Sequence, residues 1–406
     1  MRYNRIMEKI RTAIIGGGAS GLFLASALQQ SNITLFERLD RLGKKLSATG
    51  NGQGNVTNLS VCEAEYFGSQ SEQPRVQEIV READHVEMET FFRSLGVLLS
   101  ADERDRVYPA GRQASSLTDA LRYTLDQKGV DVCLSTRIID IKKAADGFVL
   151  TAEKDGEKKE YAAKNVVLCA GGKAAKNFGT DGTAYALAER FGHSVTALYP
   201  SLVQLKTDTV YTKTLKGIRV NDGGLTAWVG DKKISLQGDI IFTDYGVSGD
   251  AVFRASAFLS DQIADGQVRI AIDFLPKVTE EAVYQVLQEK RRAFPTLADT
   301  ELLFGVVNNQ IGRAVLKRAN GDLQKAAKLV KAFPLNVTGS LGFDYAQVTK
   351  GGIPLAETDE FLQSRFVKGL YFAGEILDVD GQCGGYNLQW AFSSAMRVVK
   401  GLEKHN

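Results

Sequence analysis

The run Gly16-Gly17-Gly18-Ala19-Ser20-Gly21 constrains this chain more than any other stretch. An apolar β-type run, residues 11–15, leads into it, a segment with helical spacing, residues 19–30, leads out, and residues 32–37 form a second β-type run. Strand, glycine turn, helix and strand in that order make a βαβ unit, which closes with a right-handed crossover and puts both strands in a parallel sheet. Within it Gly16 permits the tight turn, Gly18 lets the backbone approach a pyrophosphate, and Gly21 lets helix and strand pack closely. The free N–H groups of the helix start face phosphates. Glu37, ending the second strand, accepts ribose hydroxyls and repels a 2′-phosphate. Gly16, Gly18, Ala19, Ser20, Gly21, Glu37 and the adjacent Arg38 are therefore assigned to dinucleotide binding, against the bland alternative of a structural glycine turn.

A second block points to the kind of dinucleotide. Tyr371-Phe372-Ala373-Gly374-Glu375 continues through Gly381-Gln382-Cys383-Gly384-Gly385-Tyr386-Asn387 into Leu388-Gln389-Trp390. It reads as a short strand, an acidic loop, another glycine turn and a helix start. A simple nicotinamide dehydrogenase has no evident use for this return of the chain, whereas a flavoprotein must come back to the isoalloxazine ring. The expectation is FAD, with Gly374 and Glu375 at the ribityl and pyrophosphate region. Gly385, Asn387 and Leu388 then belong to a helix start that stabilises negative charge on the reduced ring.

Ala170, Gly171 and Gly172, after the apolar residues 166–169, read as a strand end beside the dinucleotide. Residues 49–58 are rich in glycine and amides, and Thr49, Gly50, Asn51, Gly52 and Asn55 are assigned to the flat ring, with a solvated loop as the alternative. Lys45 is expected at phosphate or adenine, and Asp181 as a helix cap. No second glycine fingerprint is visible, so any NAD(P)H visits the flavin transiently.

Composition narrows the partners. Fifty basic against 48 acidic residues leave a net charge of +2, too little for a field that holds nucleic acid or an anionic membrane. No apolar run approaches the roughly 18 residues of a spanning helix. Residues 1–10 lack the apolar stretch of a secretory signal, and Met7 is an alternative start, so the expected location is cytoplasmic. Cys62, Cys133, Cys169 and Cys383 form no CxxC pair, and Cys383 reads as a packed residue. His85, His193 and His405 are too few and scattered for a metal cluster or a Ser-His-Asp system, so no metal is expected.

Along the chain, helical character at residues 74–95 gives way to strand candidates at 132–134, 148–152 and 166–170. Residues 202–274 carry short β runs at 225–229, 233–236, 240–243 and 268–272, with a hairpin turn at Gly230-Asp231. Helical signal follows over 279–333, with Thr279 as N-cap, and a last helix over 387–402. The fold class is α/β: a Rossmann-like FAD-binding domain (1–200 and 345–406) interrupted by an antiparallel β-barrel module (201–276 and 334–344) and a small helical cap (277–333).

Together these residues resemble the BaiN/YhiN-like flavoproteins, a bacterial family that includes aminoacetone oxidase. Residues 371–391 carry the resemblance most specifically, and Val348-Thr349-Lys350-Gly351-Gly352-Ile353 is similar to the family's Val-Thr-x-Gly-Gly-Val stretch. The resemblance implies an FAD-dependent oxidoreductase that moves a hydride between flavin N5 and a small-molecule substrate, with NAD(P)H or O2 as the other redox partner. It leaves open a reductase of activated C=C bonds in steroid- or bile-acid-like enones and an amine-type, aminoacetone-like oxidase; a non-catalytic flavin sensor is the reading outside the enzyme class. Two departures stand out. Gly50-Asn51-Gly52-Gln53-Gly54-Asn55 lacks the family's Arg and Cys, and Thr243-Asp244-Tyr245-Gly246-Val247-Ser248-Gly249-Asp250 lacks its His and Pro. Asp244, Tyr245 and Tyr386 are the catalytic candidates, each with a structural role as the alternative.

Overall fold

The computed structural model describes residues 9–62, 66–230, 232–263 and 268–404; Met7 and Asp231 lie outside them. The chain forms two compact units, Met1–Tyr199 with Val348–Asn406, and Pro200–Gln347.

The first unit begins with β1 (Lys9–Ile15), α1 (Ala19–Ala27) and β2 (Ile33–Phe36). All four residues of β2 are buried, as a central parallel strand covered on both faces requires. The helical signal over 74–95 resolves into two helices, α2 (Gln73–Glu82) and α3 (His85–Ser94). The break lies at Asp84, whose carboxylate accepts from the N–H groups of Val86 (2.8 Å) and Glu87 (3.3 Å) and so starts a new helix. Next come α4 (Ala114–Gln127), β3 (Asp131–Cys133), β4 (Arg137–Ala144), β5 (Gly147–Lys154), β6 (Glu157–Leu168) and the short α5 (Tyr185–Glu189). Sequence pattern locates only the end of β6, from residue 166. Its first four residues, Glu-Lys-Lys-Glu, are exposed and pair antiparallel with β5, so they carry no apolar run to find.

The second unit is a closed antiparallel barrel with helices. Its strands are β7 (Leu205–Thr207), β8 (Arg219–Val229), β9 (Lys232–Phe242), β10 (Gly246–Ser248), β11 (Val268–Asp273) and β12 (Phe333–Ser340). Around the barrel the order is β7-β10-β9-β8-β11-β12, which leaves no open sheet edge. Val229 pairs with Lys232, the register of the expected hairpin. The helices are α6 (Asp250–Leu259), α7 (Glu280–Ala293), α8 (Asn309–Ala319) and α9 (Leu323–Lys331). Thr279 caps α7, accepting from Ala282 N at 3.2 Å. Barrel residues Leu225, Phe242 and Ile270 share one core with Val283, Leu287, Val315 and Val330 of these helices.

The chain then returns to the first unit through β13 (Leu370–Phe372) and α10 (Tyr386–Lys404). The parallel strands run β3-β2-β1-β6-β13, so the direction of winding reverses between β1 and β6. In an α/β sheet of this order, ligands bind outside the carboxyl ends of the strands at that switch point.

One buried cluster in this unit imitates a hydrolase site. His193 Nδ1 donates to Glu357 Oε2 (2.9 Å), and its Nε2 accepts from the Ser364 hydroxyl (2.7 Å). The Ser364 oxygen already accepts from the N–H groups of Phe366 (3.1 Å) and Val367 (3.0 Å) and is sealed in a residue 5% exposed. It is a brace, and it makes no nucleophile. Burial holds the His193 pKa below its usual value, with Glu357 pulling the other way. Below about pH 6.5 the unfolded chain therefore takes up a proton that the folded chain resists. The expected result is a melting temperature that is level above that pH and falls from there down to the depressed folded value. A His193→Gln variant loses this slope; an unchanged slope in the variant would refute the assignment.

Candidate functional site

The register brings four carboxyl ends side by side. Ile15 lies opposite Phe36 on one side and Leu168 on the other, and Leu168 lies opposite Phe372. One residue further on stand Gly16, Glu37, Cys169 and Ala373, so the segments assigned from sequence converge on one edge.

At the first turn Gly16 has φ +110°, and a Cβ there would lie 2.5 Å from the Cys169 carbonyl oxygen. A Cβ on Gly21 would lie 2.0 Å from the Gly16 carbonyl oxygen, whereas one on Gly18 would meet nothing within 4 Å. The first bond of α1 runs from Leu22 N to Gly18 O, and no side chain caps the helix. The N–H groups of Ala19, Ser20 and Gly21 therefore lie outside the helical ladder, beneath an open face suited to an anion.

Glu37 is buried, and its oxygens accept from Gly17 N (2.7 Å) and Leu39 N (2.8 Å). Burial raises its pKa, against the pull of these N–H groups and of Arg38. A carboxylate offers about four acceptor positions, so the bonds from Gly17 and Leu39 do not fill it. The Arg38 guanidinium is committed elsewhere, paired with Asp181 at 2.8 Å. Asp181, expected to cap a helix, instead accepts from Thr183 N (3.1 Å) and the Thr183 hydroxyl (2.6 Å) in a tight turn ahead of α5. Burial would raise its pKa, but the bonds from Thr183 and Arg38 prevail and hold it at about 2.

Gly374 ties the two helix starts together. Its φ is +79°, and a Cβ on it would lie 2.6 Å from the Ser20 hydroxyl of α1. Its N–H donates to Ser394 Oγ (2.9 Å) and its carbonyl accepts from Trp390 Nε1 (3.2 Å), both on α10. Next to it, Glu375 accepts from Thr349 N (3.0 Å) and pairs with Lys45 at 2.7 Å. Two residues assigned separately to the cofactor thus hold each other. Thr349 Oγ1 in turn accepts from Lys173 N (2.7 Å) and Ala174 N (2.9 Å), bracing the loop after Ala170, Gly171 and Gly172.

The start of α10 is seated on residues 57–58. Gly385 has φ +106°, with a Cβ position 2.2 Å from the Thr57 carbonyl oxygen, and Asn58 Nδ2 donates to Gly384 O (3.2 Å). Thr57 Oγ1 bonds Gln389 Oε1 at 2.5 Å. The first bond of this helix is Gln389 N to Gly385 O, leaving the N–H groups of Tyr386, Asn387 and Leu388 outside the ladder. The side chains of Asn387 and Asn55 are committed to backbone: Asn387 to Gly381 (2.8 Å, both directions) and Gln382, Asn55 to Thr57 O and Val107 O. They shape the loops instead of facing a ring. Gly50 and Asn51 are both left-handed and exposed, Gly52 is exposed with φ +83°, and the Thr49 hydroxyl bonds Leu46 O. At the departure from the family pattern, Gln53 is exposed and Gly54, at φ +80°, has its Cβ position 2.9 Å from Ala114 Cα.

Of the catalytic candidates, Asp244 is exposed in the second unit and paired with Lys216 at 2.6 Å, which lowers its pKa and keeps it ionised. Burial raises the Tyr245 phenol. Tyr386 packs edge-on against Tyr66, ring centres 6.5 Å apart. Asp250 begins α6 and pairs with Arg254. Sequence reasoning gave no role to Thr349 or Ser394, because each acts through a partner distant in the chain. Among the described residues there is no cluster of metal-ligating side chains and no helix long and apolar enough to cross a membrane.

The residues thus fit a dinucleotide whose diphosphate meets the uncapped start of α1, with a carboxylate for its ribose. The model of the HI0933-like protein Rossmann domain matches residues 10–401. A 3-dehydro-bile acid Δ(4,6)-reductase of Clostridium scindens is 33% identical over 95% of this chain and 97% of its own length. A ribosomal RNA dihydrouridine synthase of Haemophilus influenzae is 27% identical over 96% of this chain and 98% of its own. Among solved structures, a 3-ketosteroid Δ4-(5α)-dehydrogenase of Rhodococcus jostii superposes with TM-score 0.53 at 16% identity, covering 98% of each chain, a likeness of fold.

Proposed function

The chain belongs to the HI0933-like Rossmann family, and from that membership we propose that this FAD-dependent oxidoreductase saturates a carbon–carbon double bond conjugated to a carbonyl, in a small enone of the steroid or bile-acid type. Bound in the site, FAD supplies the hydride. The start of α1 receives the diphosphate, Glu37 the ribose hydroxyls, and the N–H groups of Asn387 and Leu388 at the start of α10 stabilise negative charge on the reduced ring. Gly374, Glu375, Thr349 and the loop through Gly172 keep these parts in register.

The observation that carries the reading is the similarity over nearly the full length to a protein named as a bile-acid Δ(4,6)-reductase. A 3-oxo group conjugated with such double bonds withdraws electrons and makes the remote carbon a hydride acceptor. The second relative's name describes related chemistry, since dihydrouridine is uridine with a carbonyl-conjugated ring bond saturated. A net charge of +2 favours the small substrate over a polyanion. NAD(P)H is the proposed electron source, visiting transiently.

The test is anaerobic. Flavin bleached by NADH, NADPH or dithionite is mixed with a 3-oxo-Δ4,6 steroid, and the expected result is recovery of flavin absorbance with gain of two hydrogens by the steroid. Recovery only with uridine-containing ribosomal RNA would transfer the reading to nucleic acid. In a separate aerobic assay, oxygen uptake with aminoacetone alone would make the protein an amine oxidase, and a flavin that neither NADH nor NADPH reduces and that none of these substrates reoxidises would make it a sensor.

A further inference from the structure

Tyr185 carries a hydroxyl that is buried and has no hydrogen-bond partner among the described residues, on a side chain 4% exposed. A phenol in that state forgoes the bonds that water would give it. Its place in the fold is specific. Tyr185 N donates to Gly182 O (3.2 Å), Gly182 N donates to Gly172 O (3.1 Å), and a Cβ on Gly172 would lie 2.8 Å from Glu375 Oε1. Burial raises the phenol's pKa, and the charges of Glu375 and Asp378 raise it further. Glu375 is meanwhile held by Thr349 N and by Lys45. Lys45 lies two residues beyond Gly43, whose N–H bonds Gly17 O at 2.8 Å, so its ammonium rides on a segment folded against the glycine turn.

We propose that Tyr185 is a positioning residue for the cofactor: when Lys45 leaves Glu375 for a diphosphate at the start of α1, the Tyr185 hydroxyl takes its place on Glu375. The proposal rests on the FAD reading. Because the hydroxyl is sealed from solvent, its effect on the ligand runs through Glu375, the carboxylate that Lys45 releases, while Asp378 is already held by Ser69 N (3.0 Å). Without it, a carboxylate short of a donor holds Lys45 back from the diphosphate.

The experiment measures FAD affinity of the apoprotein by quenching of flavin fluorescence, with apoprotein melting temperature alongside, for Tyr185→Phe in the wild-type and Glu375→Gln backgrounds. Tyr185→Phe is expected to weaken FAD about tenfold in the wild type, the scale of one bond to a charged group. In Glu375→Gln it is expected to be silent, and it leaves the apoprotein melting at or above the wild-type temperature. Should Glu375→Gln fail to fold, Lys45→Met serves as the second background and Tyr185→Phe is again silent. Unchanged affinity in the wild type, equal losses in both backgrounds, or a lower apoprotein melting temperature overturns the exchange. Wild-type protein that takes up no FAD overturns the cofactor reading, and the exchange with it.

Discussion

Gly18→Val is expected to lower FAD affinity by about 100-fold or more, the scale of losing close diphosphate contact, while the apoprotein melts within about 4 °C of wild type. The backbone at Gly18 has φ −77° and ψ −165°, which any residue adopts, and a Cβ there meets no atom within 4 Å. Losing glycine at an N-cap costs about 1 kcal/mol at most. The valine instead fills the open face above the free N–H groups of α1, which is where a diphosphate must come close. Gly21→Ala provides the contrast. Its Cβ would lie 2.0 Å from the Gly16 carbonyl oxygen, so it disrupts the turn itself and lowers the melting temperature with or without flavin. Wild-type flavin affinity in Gly18→Val would mean that the diphosphate sits elsewhere.

Trp390→Ala is the second large effect. The indole is 1% exposed, one of the largest fully buried side chains, and its Nε1 holds the Gly374 carbonyl. Deleting it leaves a cavity that costs about 3–5 kcal/mol, enough to lower the melting temperature by roughly 10 °C. The same change releases Gly374, so flavin affinity falls as well. Ser394→Ala separates the two effects: it removes the acceptor for Gly374 N–H and leaves the core filled. A small change in melting temperature with a clear loss of flavin affinity is expected there, measured by thermal denaturation and fluorescence titration. Equal affinity in Ser394→Ala and wild type would show that Gly374 needs no such anchor.

The glycine run, Glu37 and the strand–loop–helix of residues 371–390 were legible because each depends on local order: a strand, a turn that needs glycine, a helix start. The barrel was legible from its short β runs, and Thr279 from its place before two glutamates. Other features were hidden for identifiable reasons. The first four residues of β6 are charged and exposed, so no apolar period marks them. The helix break at Asp84 looks like any polar residue on a helix surface until its carboxylate is seen to bond Val86 and Glu87.

By itself the sequence determined that a βαβ unit opens the chain, that a glycine turn through Gly18 leads into its helix, and that the chain returns through a second glycine turn to another helix start. Those are consequences of residue type and spacing along a few turns of chain. The tertiary structure alone decided what each polar side chain does there. Lys45 was read as a partner for phosphate or adenine and is held by Glu375, 330 residues away. Arg38 is held by Asp181, Asn387 and Asn55 hold their own loops, and His193 joins Glu357 and Ser364 in a brace that resembles a catalytic triad. A buried polar group must find a partner, and which partner it finds depends on what the fold brings within about 3 Å, a distance that spacing along the chain does not encode.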